Sequence, residues 1–183
     1  MTKTSSIKPL ARAARRDAAG TESAGEKPAE LVVRPAKRSD LDQVIAIDAT
    51  VTGLEKRSYW LRIYKRYGVT SDGEQRHFLV ALLNKRVVGF VIGEVRDWEF
   101  GSPPCGWVFA IDVSPDARQA GAGTRLLRAL SAEFAAAGVN KMRTLLSRDN
   151  TLILSFFRSQ GMMAGPLIPL EMDLPMPAHG GLT

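Results

Sequence analysis

The chain has 183 residues, of which 45% are hydrophobic and 24% charged, and its formal net charge is +6. This length suits one domain with a hydrophobic core, and no apolar run approaches the ~20 residues that a membrane-spanning helix needs. The single cysteine, Cys105, excludes an intrachain disulfide. One cysteine and two histidines in the whole chain are too few of the usual ligands for a zinc site. The sequence therefore predicts a soluble cytoplasmic protein without a metal.

The positive charge is dispersed along the chain. Its densest group lies in residues 55–68, where basic and apolar residues alternate at helical spacing. That pattern is typical of a solvated helix face rather than of a nucleic-acid surface. A polyphosphate ligand would account for the basic balance equally well, so we predict no nucleic-acid partner and no membrane partner.

Both ends of the chain differ in composition from its middle. Residues 1–30 are rich in Ala, Ser, Gly, Lys and Glu and hold few large apolar side chains, which predicts a disordered tail. Three arginines in it also allow a transit-peptide interpretation, but the segment has no apolar face and acids follow closely. Residues 175–183 are predicted to be a flexible C-terminal tail, and residues 31–174 a single domain.

Apolar periodicity together with glycine, proline and capping residues predicts ten elements. In chain order they are a strand at 31–34, helices at 39–48 and 55–68, a hairpin of two strands in 77–95, a strand at 106–113, a helix at 123–137, a strand at 141–147, a helix at 150–161 and a strand at 167–174. Ser39 is the predicted N-cap of the first helix, and Asn84-Lys85 is the predicted hairpin turn. The order predicts a mixed α/β (α+β) domain, in which antiparallel strands lead into one β-α-β unit and helices cover both faces.

The stretch VSPDARQAGAGTRLLRAL, from Val113 to Leu130, passes from a strand into a helix through an R-x-x-G-x-G pattern. Glycines at such a junction let the backbone approach a ligand closely, and a helix start offers unpaired N–H groups to an anion. The pattern therefore predicts a phosphate-binding turn. It lacks the G-x-x-x-x-G-K-[ST] of a P-loop, and Leu126 replaces the third glycine of a dinucleotide fingerprint. A dinucleotide-dependent oxidoreductase stays an alternative, although the upstream hairpin does not suit that fold.

The segment IDVSPDARQAGAGTRLLRAL resembles the signature of the GCN5-related N-acetyltransferase (GNAT) superfamily, in which a strand ending in V-x-P leads to R/Q-x-x-G-x-G/A and a helix. The downstream NTLILSFFRSQGM is similar to a second family segment, and the order of elements matches from Leu31 to Leu174. The resemblance implies the GNAT fold, with a mostly antiparallel central sheet whose parallel fourth and fifth strands splay apart. It also implies an acetyl-CoA-dependent N-acetyltransferase that acts on a primary amine, either of a protein or of a small polyamine-like molecule, and it allows a homodimer.

The resemblance also implies how acetyl-CoA, the co-substrate, is bound. The main chain of Ile111 and Val113 would bond the pantetheine arm, and the Val113 N–H would polarise the thioester carbonyl. Asn150 would contact CoA, although it is equally a candidate helix N-cap. The pyrophosphate would lie on the turn, whose assigned residues are Arg118, Gln119, Ala120, Gly121, Ala122, Gly123 and Thr124.

The resemblance does not assign the catalytic groups directly, because the sequence departs from the family pattern at two positions. The tyrosine that many members use as a general acid aligns with Phe157, and their general-base glutamate aligns near Cys105 and Trp107. Glu94 and Glu99 are nearby carboxylates, and we predict that they include the base or an anchor for the amine.

The predicted acceptor wall combines acids and aromatic side chains, which would suit a cationic amine. Its predicted substrate contacts are Trp60, Trp98 and Trp107. The aromatic stripe of the second helix is also typical of a core. The two departures from the family support an alternative, a non-catalytic acyl-CoA-binding regulatory module of the same fold, which would bind CoA without turnover.

Overall fold

The computed structural model describes residues 30–69 and 75–174. Within them, five strands form one sheet in the order β1-β2-β3-β4-β5. Their bounds are β1 Leu31–Pro35, β2 Arg76–Leu83, β3 Arg86–Arg96, β4 Cys105–Val113 and β5 Met142–Thr144. Neighbouring strands are antiparallel except β4 and β5, which are parallel. This confirms the predicted mixed sheet, and it differs from the mostly parallel sheet of a dinucleotide-binding fold.

Four α-helices cover the two faces of the sheet: α1 Leu41–Thr52, α2 Arg57–Tyr67, α3 Ala122–Ala136 and α4 Thr151–Ser159. Because side chains along a strand alternate between faces, the sheet contributes to two separate cores. On the α1–α2 face, Phe90 and Ile92 of β3 pack with α1 and α2. On the α3 face, Val91 packs with α3 and with residues of α4. The α3 side chains predicted to point inward are all buried there, namely Leu126, Leu127, Leu130 and Phe134.

The predicted hairpin turn is confirmed. Asn84 and Lys85 join β2 to β3, and both adopt a positive φ, of 50° and 67°. Two consecutive residues of positive φ match the right-handed twist of the strands they connect. Local sequence was sufficient here because the turn needs no support from distant residues.

The predicted N-cap at Ser39 is wrong. Residues Arg38–Asp40 form a 3-10 turn, and Asp40 is the residue that precedes α1. The buried Asp40 carboxylate accepts a hydrogen bond from the Lys37 N–H at 2.7 Å and two from the Arg34 guanidinium, at 2.7 and 2.9 Å. The ion pair between Asp40 and Arg34 of β1 therefore determines where α1 begins, and the capping preferences of single residues do not predict this ion pair.

The predicted last strand, residues 167–174, is also wrong. These residues form no strand in the described structure, and their apolar side chains are exposed, with Ile168 at 77% and Leu170 at 93%. Pro166 and Pro169 each lack a backbone donor. The strand β5, expected over 141–147, ends at Thr144. An alternating apolar pattern becomes a strand only where a neighbouring edge pairs with it, and no such pairing exists in this part of the chain.

The predicted N-terminal tail, apart from its last residue, and the predicted C-terminal tail lie outside the described residues. In the ranges that the structure describes, no helix is both long enough and apolar enough to cross a membrane.

Candidate functional site

The parallel strands β4 and β5 separate towards their carboxyl ends. They pair only where Gly106–Val108 lies beside Met142–Thr144, and the Thr144 hydroxyl donates to the Val108 carbonyl at 2.8 Å at the last paired position. Immediately beyond, Phe109 is an extra residue of β4, because Val108 and Ala110 pair with consecutive residues of β3. Such a bulge bends the strand, so a gap opens between β4 and β5 from Phe109 onward.

A cavity of about 530 Å³ occupies this gap, within the usual size range of small-molecule sites. Its walls include Val51 from α1 and Phe156 from α4, which belong to opposite faces of the sheet. The cavity therefore extends through the sheet, and two molecules approaching from opposite faces can meet inside it.

The backbone of β4 presents hydrogen-bonding groups to the cavity. The Ser114 N–H donates to the Val88 carbonyl of β3 at 2.8 Å, and hydrogen-bonded pairs alternate along an antiparallel ladder. The N–H and C=O groups of Ile111 and Val113 must then point away from β3, towards the side where β5 has diverged. They form an unpaired polar edge of the kind that an extended amide-containing chain can bond.

The glycine turn lies at the open end of the gap. Residues Pro115–Ala120 form a 3-10 turn, and Gly121, with a φ of 75°, connects it to α3. Glycine adopts this left-handed conformation without strain. The first N–H groups of α3 have no acceptor within the helix. Of the residues assigned to the turn, those that line the cavity are Arg118, Gly121, Gly123 and Thr124, whereas Gln119 and Ala120 are exposed outside it and Ala122 is buried.

Gly123 also has a packing role. A Cβ atom built at this position would lie 3.1 Å from Cε2 of Phe156 and 3.7 Å from Cγ2 of Val113. The glycine thus allows α3 and α4 to approach each other beside the cavity. Asn150 similarly combines two features, because it caps α4 by accepting from the Ile153 N–H at 3.2 Å and it lines the cavity.

Comparison with known families identifies this arrangement. The model of the acetyltransferase (GNAT) family matches residues 43–162, well over half of the chain. The chain belongs to the GNAT family. Over 79 residues it is 38% identical to the L-2,4-diaminobutyric acid acetyltransferase of Nocardia farcinica (strain IFM 10152), a match that covers 43% of this chain and 39% of that relative. The chain thus matches well under half the length of this curated relative.

Solved structures show the same GNAT fold. The aminoglycoside N-acetyltransferase AAC(6')-Iy in complex with CoA superposes with a TM-score of 0.69 at 18% identity, over 79% of this chain and 95% of that one. AAC(6')-Ih from Acinetobacter baumannii gives 0.67 at 13% identity, over 80% and 100%. A transcriptional regulator from Bacillus halodurans C-125 gives 0.67 at 17% identity, over 79% and 100%. At these identities the likeness establishes the fold alone.

The structure buries the residues found at the two departures from the GNAT pattern. Phe157 is buried in the α3-face core and borders the cavity. Cys105 and Trp107 are buried in β4. Burial raises the pKa of the Cys105 thiol, so the thiol stays neutral at physiological pH and does not serve as a base.

Glu94 lies beside the cavity rather than in its wall. It is 7% exposed and accepts hydrogen bonds from the Tyr67 hydroxyl at 3.0 Å and from Arg96 Nε at 2.9 Å. Arg66 and Arg76 each place a guanidinium nitrogen 3.7 Å from the same carboxylate. The carboxylate oxygens of Glu94 are therefore already surrounded by donors.

Glu99 shares a polar hollow with Glu94, which we call the arginine hollow and which Arg66, Gln75, Arg76, Glu94, Val95, Arg96, Asp97 and Glu99 line. Glu99 Oε2 lies 3.6 Å from Arg96. The arginine hollow adjoins the cavity, because Tyr67, the partner of Glu94, packs against Phe109 with ring centroids 4.9 Å apart. The Tyr67–Phe109 pair therefore lies between Glu94 and the cavity.

The three predicted substrate tryptophans do not share a wall, and none of them lines the cavity. Trp60, 2% exposed, packs in the α1–α2 core against Phe90 and donates from Nε1 to Asp48 at 2.8 Å, so it is a core residue rather than a substrate contact. Trp98 is 69% exposed. Trp107 lies beneath the Arg96 guanidinium, 5.2 Å from the ring centroid, where it supports the arginine hollow.

Sequence reasoning missed Asp112, which lines the cavity. It lies opposite Phe90 in the β3–β4 register and shares the α1–α2 face with Ala110. Burial raises the pKa of Asp112 to about 6, and the Asp48 carboxylate adds to the increase. The signal was present in GWVFAIDV, where a single acid interrupts an apolar strand.

Proposed function

We propose that this protein transfers the acetyl group of acetyl-CoA to a primary amine of a small molecule, by direct attack within a ternary complex. The observation that carries the proposal is the gap between β4 and β5, which runs from the bulge at Phe109 to the glycine turn. It combines a polar backbone edge with a helix start, and it is reached from both faces of the sheet.

The described residues fit acetyl-CoA. The unpaired N–H groups at the start of α3, with the guanidinium of Arg118, would hold the pyrophosphate. The exposed backbone edge of Ile111 and Val113 would bond the pantetheine amides, and Asn150 would contact the cofactor from α4. When bound, acetyl-CoA supplies an activated acyl group as a thioester.

The acceptor would enter from the α1–α2 face, past Val51 and Phe109. The Val113 N–H is the proposed donor to the carbonyl oxygen as negative charge develops on it. An alkyl amine is mostly protonated at neutral pH, so it must lose a proton before it attacks. Phe157 cannot protonate the leaving group, and we propose that the sulfur departs as a thiolate.

The names of the relatives favour a small acceptor with several amino groups. L-2,4-diaminobutyric acid and aminoglycosides are both of this kind. A second cationic group of the acceptor would be held by a carboxylate at the arginine hollow. Glu99 is the proposed anchor, because its side chain is more accessible than that of Glu94.

The test is thiol release from acetyl-CoA by the purified full chain against a panel of diamino acids, aminoglycosides, polyamines and lysine peptides, with mass spectrometry of the products. We expect release that depends on one class of small amine, which gains one acetyl group. Acetylated peptide alone would overturn the small-acceptor proposal. CoA binding measured by calorimetry, without turnover on any amine, would instead support the regulatory-module alternative that the residues Phe157 and Trp107 suggest.

A further inference from the structure

Asp112 has a position that neither the family match nor the sequence pattern assigns to a role. It is the one carboxylate among the residues that line the described cavity. We propose that Asp112 is the general base that takes the proton from the acceptor amine. This inference rests on the proposed acetyl transfer and names the residue that makes the amine nucleophilic.

Asp112 lies on β4 beside the backbone edge that would hold the pantetheine arm. It stands between Ile111 and Val113, whose backbone groups point into the gap, while its own side chain lies on the α1–α2 face. The thioester and the carboxylate thus meet the acceptor from two adjacent directions. An amine that enters past Val51 passes the carboxylate before it reaches the thioester.

Three charged neighbours act on the Asp112 carboxylate: Asp48 from α1, Lys56 from the start of α2, and Arg118 from the 3-10 turn. Asp48 is buried and already bonded to Trp60 Nε1 at 2.8 Å and to Lys56 Nζ at 3.0 Å. Lys56, which is bonded to Asp48, and Arg118 favour the charged form of Asp112, whereas the neighbouring Asp48 carboxylate repels it. Burial and this repulsion both raise its proton affinity.

The carboxylate of Asp112 is available to a ligand in the cavity. No side-chain hydrogen bond to Asp112 occurs in the part of the chain that the structure describes, whereas Glu94 accepts two and is flanked by further guanidinium groups. With a pKa of about 6, Asp112 is mostly ionised at neutral pH and still accepts a proton more readily than an ordinary carboxylate.

The Asp112 carboxylate takes one proton from the acceptor ammonium, and the neutral amine attacks the thioester carbon. A C–N bond forms, the C–S bond breaks, and the electron pair of that bond leaves on sulfur. The second proton of the amine passes to the thiolate through water, and Asp112 returns its proton to solvent.

The experiment measures the pH dependence of kcat/KM for wild type, Asp112→Asn and Asp112→Glu with the amine found above. We expect an acidic limb near pH 6 in wild type, a loss of about 100-fold in kcat in Asp112→Asn without that limb, and partial recovery in Asp112→Glu. The KM for acetyl-CoA should be unchanged. Asp42→Asn is the matched control, because Asp42 is an exposed carboxylate of α1 that pairs with Arg57 at 2.9 Å and does not line the cavity, and it should keep full activity.

A kcat within twofold of wild type in Asp112→Asn, or an acidic limb that persists in it, would overturn the role of Asp112 and leave the proposed acetyl transfer intact. A wild-type protein that acetylates no amine would overturn the proposed function, and the role of Asp112 with it. A melting temperature at or above that of wild type in Asp112→Asn establishes that a loss of activity is not a loss of fold.

Discussion

Asp112 and Glu94 are two acids in adjacent strands on the same face of the sheet, and their surroundings are opposite. Glu94 accepts hydrogen bonds from a phenol and a guanidinium and has two more arginines nearby. Asp112 faces the cavity with another carboxylate as a neighbour. The difference is one of availability: the Glu94 carboxylate is already bonded within the fold, whereas no side chain of the described residues donates to that of Asp112, which faces the cavity.

Asp112 can act on an acceptor amine only if CoA occupies the gap. The variant Gly123→Glu tests CoA binding and has the largest expected effect. The new side chain would press on Phe156 and place a negative charge beside the pyrophosphate site. We expect a loss of CoA affinity of at least about 100-fold, measured by calorimetry. Gly165→Glu is the control, because a Cβ there meets nothing within 4 Å. Unchanged CoA affinity in Gly123→Glu would remove the turn from the CoA site.

Glu94→Gln tests whether the Glu94 carboxylate stabilises the fold. It would leave the guanidinium groups of the arginine hollow without their central carboxylate. We expect a loss of about 2–3 kcal/mol in the free energy of unfolding, measured by urea denaturation at pH 7, with CoA affinity unchanged. A variant as stable as wild type would contradict the structural role that we assign to Glu94.

Asp112→Asn should change stability in the opposite direction. The folded pKa of Asp112, about 6, exceeds its ordinary value of 3.8, so the folded state binds more protons between these pH values and wild-type stability falls as pH rises through them. At pH 7 we expect the variant to be more stable by about 1–2 kcal/mol, after allowance for the open side of the cavity.

The gain from Asp112→Asn should shrink to a small remainder at pH 4, because the carboxyl is then protonated in the folded state and about half protonated in the unfolded state. Urea denaturation of both proteins at pH 4 and pH 7 measures the difference. Equal stability of the two proteins at pH 7 would show that the charge of Asp112 is not disfavoured in the fold.

Glu99→Gln has the smallest expected effect and tests whether Glu99 binds the acceptor. If Glu99 anchors a cationic group of the acceptor, the KM for the amine should rise about threefold to tenfold while kcat stays unchanged, measured by steady-state kinetics. A fall in kcat at constant KM would instead give Glu99 the role of base.

Elements that depend on neighbours in sequence were predictable. The turn at Asn84-Lys85 and the buried stripe of α3 follow from local conformation and helical spacing. The start of α1 and the expected last strand were not predictable, because the first depends on the Arg34–Asp40 ion pair and the second on pairing with a neighbouring strand, which residues 167–174 do not form in the described structure. Both errors concern contacts between residues that the local pattern does not link.

The sequence by itself determined the family, the glycine turn and the strand that precedes it, because these are continuous motifs whose spacing specifies their geometry. Only the tertiary structure decided which carboxylate is available for chemistry. The state of Glu94 depends on Tyr67, Arg66, Arg76 and Arg96, and that of Asp112 depends on Asp48, Lys56 and Arg118. Burial and charge pairing depend on residues from several helices and strands, so no single segment of the sequence predicts them.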